Sequence, residues 1–393
     1  MLDRLEAQSP DALLALIKLY ASDERVDKID LGVGVYRTDE GATPVFTSIK
    51  QAEQRLIEEQ NSKSYLGPEG DTAFVSELMP YIFGTGNDDI GGRIGGMQTP
   101  GGTGAVRLAA ALAKQAGAAR VHLGSPSWPN HVQILRDIGL EAVLFDHANE
   151  DGSANVDALI AAIEGASEGD VVLLHACCHN PTGVDYSADE WARIAEALAT
   201  HGILPIIDSA YHGLGAGMEE DVAGIRTVLA AVPEALVAYS CDKNFGMYRD
   251  RVGAFYVMAR DGGQLDAIMS NANALARANW SMPPDHGGAA VRIILQDDAL
   301  VADWQNEIET MRARLRKMRE ALADADGRVG GLNLAPLADQ NGLFAILKLD
   351  KDQIALMRSK HAVYMAGSGR INIAGLTSGN IEKFIDALAD VAG

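Results

Sequence analysis

The chain has 393 residues, 47% of them hydrophobic, with 33 basic against 54 acidic side chains and a formal net charge of −21. That length fills a large core and two subdomains. The charge argues against nucleic acid, whose phosphates need a basic face, and disfavours anionic membrane surfaces; a locally positive pocket for a small anionic substrate stays compatible with it.

The N-terminal stretch "MLDRLEAQSPDALLALIKLY" is broken by Asp11 and Lys18 and lacks the basic start and small-residue cleavage site of a secretory signal. No run reaches the roughly 18 apolar residues of a membrane span. Cys177, Cys178 and Cys241 fall in apolar, strand-like runs, two of them adjacent. This predicts reduced thiols rather than a disulfide framework, and a cytoplasmic protein.

From about residue 100 helix and strand patterns alternate. "AVRLAAALAKQAG" predicts a helix and "ARVHLGSPS" a strand; "HVQILRDIG" a helix and "EAVLFDH" a strand. "VDALIAAIEGA" predicts a helix, "DVVLLHACCH" a strand, "DEWARIAEALATHG" a helix and "ILPIIDSAY" a strand. Apolar strands separated by amphipathic helices imply an α/β fold with a mostly parallel sheet covered on both faces. Ligands in such sheets bind beyond the carboxyl ends of the strands. The segment 297–325 predicts a long helix leading out of the sheet domain. Short strands in "GLFAILKL" and "RINIAG", with closing helices, predict a smaller α+β domain that takes in the N-terminal segment. The expected division is 46–310 for the large domain, and 1–45 with 311–393 for the small one.

Several residues that follow strands have chemical potential, each beside a plainer reading. In "TPGGTGAVRLAAALA" glycines and Thr103 precede a helix, which fits an anion at the helix N-terminus or a simple tight turn. It is neither a Walker loop nor a G-x-G-x-x-G fingerprint. Asp208 ends a strand, with Tyr211 shortly after; it either caps the next element or meets a buried cation such as a protonated ring nitrogen. His175, His179 and Asn180 precede a Pro-Thr-Gly turn. An extended stretch does not put the two histidines on one face, and no third ligand follows at matching spacing, so no metal is expected. Trp128 is a core residue or a flat surface for an aromatic ring. Arg277 and Arg370 are surface residues, or forks for two carboxylates. Lys243 is a solvated cation, or an amine tuned toward deprotonation that forms a Schiff base with an aldehyde. Pyridoxal phosphate needs a lysine for its aldehyde, a helix N-terminus for its phosphate, an acid for its pyridine nitrogen and an aromatic face. All of them are present, each after a strand, and the conjunction is more specific than any member.

The motifs "LGVGVYRTDEG", "SYLGPEG", "TPGGTGA", "SPSWPNH", "HNPTG", "DSAY", "SCDKNFG", "RDRVG", "RANWS" and "SGRINIAG" run the length of the chain. On them it resembles the fold-type I, class I aminotransferases of the aspartate/aromatic kind. The resemblance implies a pyridoxal-phosphate-binding large domain in which Lys243 bonds the cofactor and later shuttles the substrate proton. Asp208 would keep the pyridine nitrogen protonated, Tyr211 and Asn180 would reach the ring hydroxyl, and Trp128 would stack on the ring. Gly102, Thr103, Ser240 and Arg251 would hold the phosphate, joined by Tyr65 from a second subunit, which implies a homodimer. His131 and His175 would stand behind Trp128 and Asp208. For the substrate, Arg370 would bind the α-carboxylate and Gly34 would lie in the loop that closes over it. Trp128 and Asn180 would also touch the substrate, and Arg277 of the neighbouring subunit would meet a side-chain carboxylate.

Four positions depart from the family pattern: Asp242 where serine is usual, Trp280 for tyrosine, Met282 for a small polar residue and His212 for glutamine. Asp242 is expected to point away from the amine, because neighbours in an extended stretch face opposite sides. The other three bear on the side-chain pocket. Val35, Arg37, Thr43 and Thr103 look like the aspartate type, Ser64 and Met282 less so. The expected activity is ping-pong transfer of the amino group of L-aspartate or L-glutamate to a 2-oxo acid: 2-oxoglutarate, oxaloacetate or a small acceptor such as glyoxylate. An aromatic aminotransferase is the alternative, followed by decarboxylase or racemase chemistry on the same cofactor, or a non-catalytic sensor on the same fold.

Overall fold

The structure, a computed structural model, describes residues 2–6, 12–85 and 92–393; Asp11, which breaks the N-terminal apolar stretch, lies outside them. The chain divides into two compact units, one of Thr43–Arg314 with Gln340–Gly342, the other of Met1–Ala42, Leu315–Asp339 and Leu343–Gly393. Among the described residues no helix is long and apolar enough to cross a membrane.

The larger unit is built on a seven-stranded sheet. Its strands are β1 (Ile94–Pro100), β2 (Arg120–Ser125), β3 (Glu141–Asp146), β4 (Val171–His175), β5 (Leu204–Ser209), β6 (Ala235–Ser240) and β7 (Val252–Met258). They lie in the order β1-β7-β6-β5-β4-β2-β3. From β6 to β3 every pairing is parallel, and β7 alone runs against both its neighbours. Helices between the parallel strands cover the faces, so β4, β6 and β7 are buried along their whole lengths. This is why they read as continuous apolar runs without alternation. The helix Gly101–Gln115 buries ten residues, among them Val106, Leu108 and Leu112, in a cluster with Leu123, Leu173, Ile206 and Phe255.

Trp304 ties helix packing to the far end of this sheet. It is fully buried, stacks on Phe245 at 4.4 Å and 9°, and donates Nε1–H to the Asn244 carbonyl at 2.7 Å. Both partners lie in the turn that carries Lys243. Trp304→Ala should therefore cost about 3–5 kcal/mol of stability. The check is the urea midpoint, which should fall at unchanged slope; a midpoint within error of the parent would contradict the packing argument.

The smaller unit has two short strand pairs, Ile29–Asp30 parallel to Val363–Tyr364 and Phe344–Ile346 antiparallel to Arg370–Asn372. Asn372 holds the segment 33–35 by donating its amide to the carbonyls of Val33 and Val35, at 2.6 and 2.8 Å.

Candidate active site

Sheet direction gathers the site. The parallel strands end at His175, Ser209 and Ser240 on one edge. Because β7 is reversed, its first residue, Val252, pairs with Pro100 at the end of β1, while Gly253 pairs with Ser240. Arg251, just before β7, thus returns to the edge that β6 and Lys243 leave. Arg251 has a φ of 56°, a left-handed conformation uncommon for a residue with a side chain. Gly101 and Gly102 let the next helix begin against this group. A Cβ at Gly101 would lie 2.6 Å from Arg251 Nη2, and one at Gly102 would lie 2.8 Å from Ser240 Cβ.

A cavity of about 230 Å³ opens here. One end is lined by Gly102, Thr103, Ser240 and Arg251, a helix N-terminus and a guanidinium that together draw an anion. Trp128, Asn180, Asp208, Tyr211 and Lys243 line the rest. Lys243 Nζ stands 4.9 Å from the Tyr211 ring centroid. Desolvation pushes its pKa below the ordinary lysine value, against the upward pull of Asp242 and Asp208. The Asn180 amide nitrogen reaches the Tyr211 hydroxyl at 3.4 Å, and its oxygen is buried without a partner among the described residues.

Asp208 is anchored from behind. Burial alone would raise its pKa, but the His131 hydrogen bond and nearby positive charge outweigh burial and hold it below the usual carboxylate range. As an anion, it accepts from His131 Nε2 at 3.1 Å. His131 Nδ1 meets the Ser127 hydroxyl at 2.9 Å, and that hydroxyl also meets His175 Nε2 at 3.2 Å. Burial first, then the neighbouring His131, hold His175 down at about 3, so its ring stays neutral. Trp128 stands edge-on to His131, ring centroids 5.0 Å apart. Sequence reasoning quoted Ser127 only inside "SPSWPNH" and passed over Tyr248, whose carbonyl accepts from Arg251 Nη1 at 3.1 Å. Neither hydroxylated residue has a spacing that marks it.

Other expected site residues stand elsewhere. Tyr65 is 94% exposed and Arg277 is exposed on the helix Gly262–Asn279; neither lines the cavity of its own chain. Gly34 and Arg370 belong to the smaller unit, where both meet one ring. A Cβ at Gly34 would lie 2.8 Å from Phe344 Cζ, and the Arg370 guanidinium lies 4.5 Å from the Phe344 ring centroid. Arg370 Nη2 donates to the Gly32 carbonyl at 2.9 Å.

Three expectations need correction. Asp242 does not point away: residues 242–245 form a turn, not an extended stretch, and Asp242 lines the same cavity as Lys243 and pairs with Arg251. His212 does not face a substrate pocket. It is fully buried, donates Nε2–H to the Met218 carbonyl at 2.6 Å and accepts from the Tyr239 hydroxyl at 2.7 Å. The cysteines lie past strand ends rather than in strands, and all three are buried. Cys177, Cys178 and Asp221 come close enough to share an ion, but Asp221 already accepts three backbone N–H groups at 2.8–2.9 Å. The Cys178 hydrogen bond and burial also push the Cys177 thiol up, away from the thiolate that a metal needs. Of the two remaining departures, Trp280 packs against the hydrophobic cluster, and Met282 Sδ meets the Leu66 N–H at 3.0 Å.

The cavity fits pyridoxal phosphate. The close approach at Gly102, which a Cβ would block, opens a helix N-terminus to a phosphate. The unpartnered Asn180 oxygen waits for a polar group, and the ionised Asp208 suits a protonated ring nitrogen.

Fold and cavity together define a cofactor-dependent α/β transferase. The model of the family described as aminotransferase class I and II matches residues 26–388. A tyrosine aminotransferase of Rhizobium meliloti (strain 1021) is 48% identical over 378 residues, 96% of each chain. An aspartate aminotransferase of Escherichia coli (strain K12) is 41% identical over 395 residues, 100% of each chain. A solved aromatic-amino-acid aminotransferase from Burkholderia pseudomallei, covalently bound to pyridoxal phosphate, matches with a TM-score of 0.95 and 31% identity over 100% of both chains. The chain belongs to the class I and II aminotransferases. It is an enzyme of the fold-type I α/β class, with pyridoxal phosphate as its cofactor.

Proposed function

We propose that this aminotransferase exchanges amino groups between dicarboxylic amino acids and 2-oxo acids, and that aromatic amino acids enter the same site. The observation that carries the cofactor assignment is the placement of Lys243, Asp208 and the Gly102–Arg251 group around one cavity. Lys243 would hold the cofactor's aldehyde carbon covalently. Gly102, Thr103, Ser240 and Arg251 would hold the phosphate, with Tyr65 of a partner subunit in a homodimer. Trp128 would cover the ring face, while Tyr211 and Asn180 would meet the ring hydroxyl. When bound, pyridoxal phosphate supplies an electron sink for the charge left on the substrate's α-carbon. The rest is done by the chain. Asp208 keeps a proton on the ring nitrogen, and His131, Ser127 and His175 keep Asp208 ionised and oriented. Burial favours the neutral amine of Lys243, the form that takes the substrate's α-proton at Nζ. Arg370 would bind the α-carboxylate beside the Gly34 loop, with Trp128 and Asn180 also touching the substrate.

Arg277, exposed on its own chain, would reach a dicarboxylate side chain in the partner subunit's site. Arg277→Leu should therefore lower kcat/KM for aspartate and glutamate by on the order of 10²-fold, and for tyrosine or phenylalanine by less than about tenfold. An equal loss for both classes would remove Arg277 as the reader of the side chain. The aromatic activity is supported by the tyrosine aminotransferase at 48% identity. Half-reactions test the whole reading: single amino acids are added without acceptor, and the keto product and pyridoxamine phosphate are identified. Their formation from glutamate or aspartate and from tyrosine is expected. Release of carbon dioxide, loss of chirality without a keto product, or no reaction would point instead to a decarboxylase, a racemase or a sensor.

A further inference from the structure

We infer that Asp242 competes with the cofactor's phosphate for Arg251, so that this enzyme grips the phosphate loosely and releases the amino form of its cofactor readily. The inference rests on the reading of the cavity as the pyridoxal phosphate site. Asp242 is only 3% exposed, yet its side chain lines the cavity together with Ser240, Lys243 and Arg251. One carboxylate oxygen pairs with Arg251 Nη1, and the other accepts the Val252 N–H at 3.3 Å. A Cβ at Gly101 would lie 2.6 Å from Arg251 Nη2 and 3.0 Å from the Asp242 carboxylate. The carboxylate therefore stands at the foot of the helix that opens with Gly101, where the helix N-terminus and the guanidinium draw an anion. A site formed for a phosphate dianion already holds a negative charge of its own.

Arg251 Nη1 is shared between Asp242 and the Tyr248 carbonyl, which leaves part of the guanidinium for a second anion. A phosphate entering there shares its cation with a buried carboxylate and is repelled by it. The aldehyde form of the cofactor has its bond to Lys243 as a second hold. The amino form lacks that bond, so a weak phosphate site shows most in that form. A different role for the same contact, in which Asp242 orients Arg251 for the phosphate, predicts the opposite sign.

The test uses the full-length protein, stripped of cofactor and titrated with pyridoxamine 5′-phosphate, with pyridoxamine as the probe that lacks a phosphate. Wild type is compared with Asp242→Ser and with Asp242→Asn, whose matched shape keeps the measurement available if the serine variant folds poorly. Both variants should bind pyridoxamine 5′-phosphate at least about tenfold more tightly than wild type, with unchanged affinity for pyridoxamine. They should also keep more cofactor through dialysis after treatment with an amino donor. Equal or weaker binding by the variants overturns the inference, weaker binding because Asp242 then orients Arg251. If wild type binds pyridoxamine 5′-phosphate no better than pyridoxamine, the phosphate site itself is misassigned, and the inference falls with it.

Discussion

Lys243→Ala should lower turnover by at least about 10⁴-fold with every amino donor, because in the proposed roles one substitution removes both the cofactor's covalent hold and the proton carrier. The fold should survive. The turn is fastened through Asn244 and Phe245, which Trp304 bonds and stacks on. Stability should even rise slightly at neutral pH. In the folded chain burial lowers the pKa of Lys243 from the ordinary 10.5, so the unfolded chain binds that proton more tightly. Wild-type stability therefore increases as pH rises from the depressed value to the ordinary one, and the advantage of the alanine variant closes over that window. Steady-state rates with glutamate, aspartate and tyrosine test the first part, and thermal unfolding at several pH values tests the second. Retained activity in Lys243→Ala would end the assignment of this lysine.

Asp208→Asn should cost roughly 10²–10³-fold in kcat, the scale at which one preorganised charge contact acts on a developing charge. The shape is conserved, and the asparagine oxygen can still accept from His131 Nε2. What is lost is the anion proposed to keep a proton on the ring nitrogen. Cofactor content should stay near wild type, which separates this outcome from simple loss of binding. The wild-type carboxylate has its pKa lowered from 3.8, so it contributes stability above that value and loses it as pH falls through the depressed one. The asparagine variant should lack that acid-side loss. A near-wild-type rate would show that Asp208 does not sustain the ring charge.

Much of this was legible in the letters. Continuous apolar strands alternating with amphipathic helices announced a mostly parallel sheet, because each pattern is a local consequence of which faces are buried. Asp208 stands next to last in its strand and Lys243, Trp128 and Asn180 each follow one, and in such a sheet that places them at one edge whatever the helices between them do. Other features had no local signature. The hydrogen bond from His131 to Asp208 spans 77 positions, and that from His175 to Ser127 spans 48. His212 reads as a pocket residue by its place after Tyr211, yet hydrogen bonds to Tyr239 and Met218 draw it into the core.

The sequence by itself determined the architecture, which follows from periodicity, and its motifs carried the resemblance to the family. The tertiary structure decided what the departures do. Whether Asp242 faces Lys243 depended on the backbone turning after β6, and its pairing with Arg251 on β7 running antiparallel to its neighbours. Sequence patterns record which face a residue takes within its own element; which charges meet across elements is set by strand direction and register.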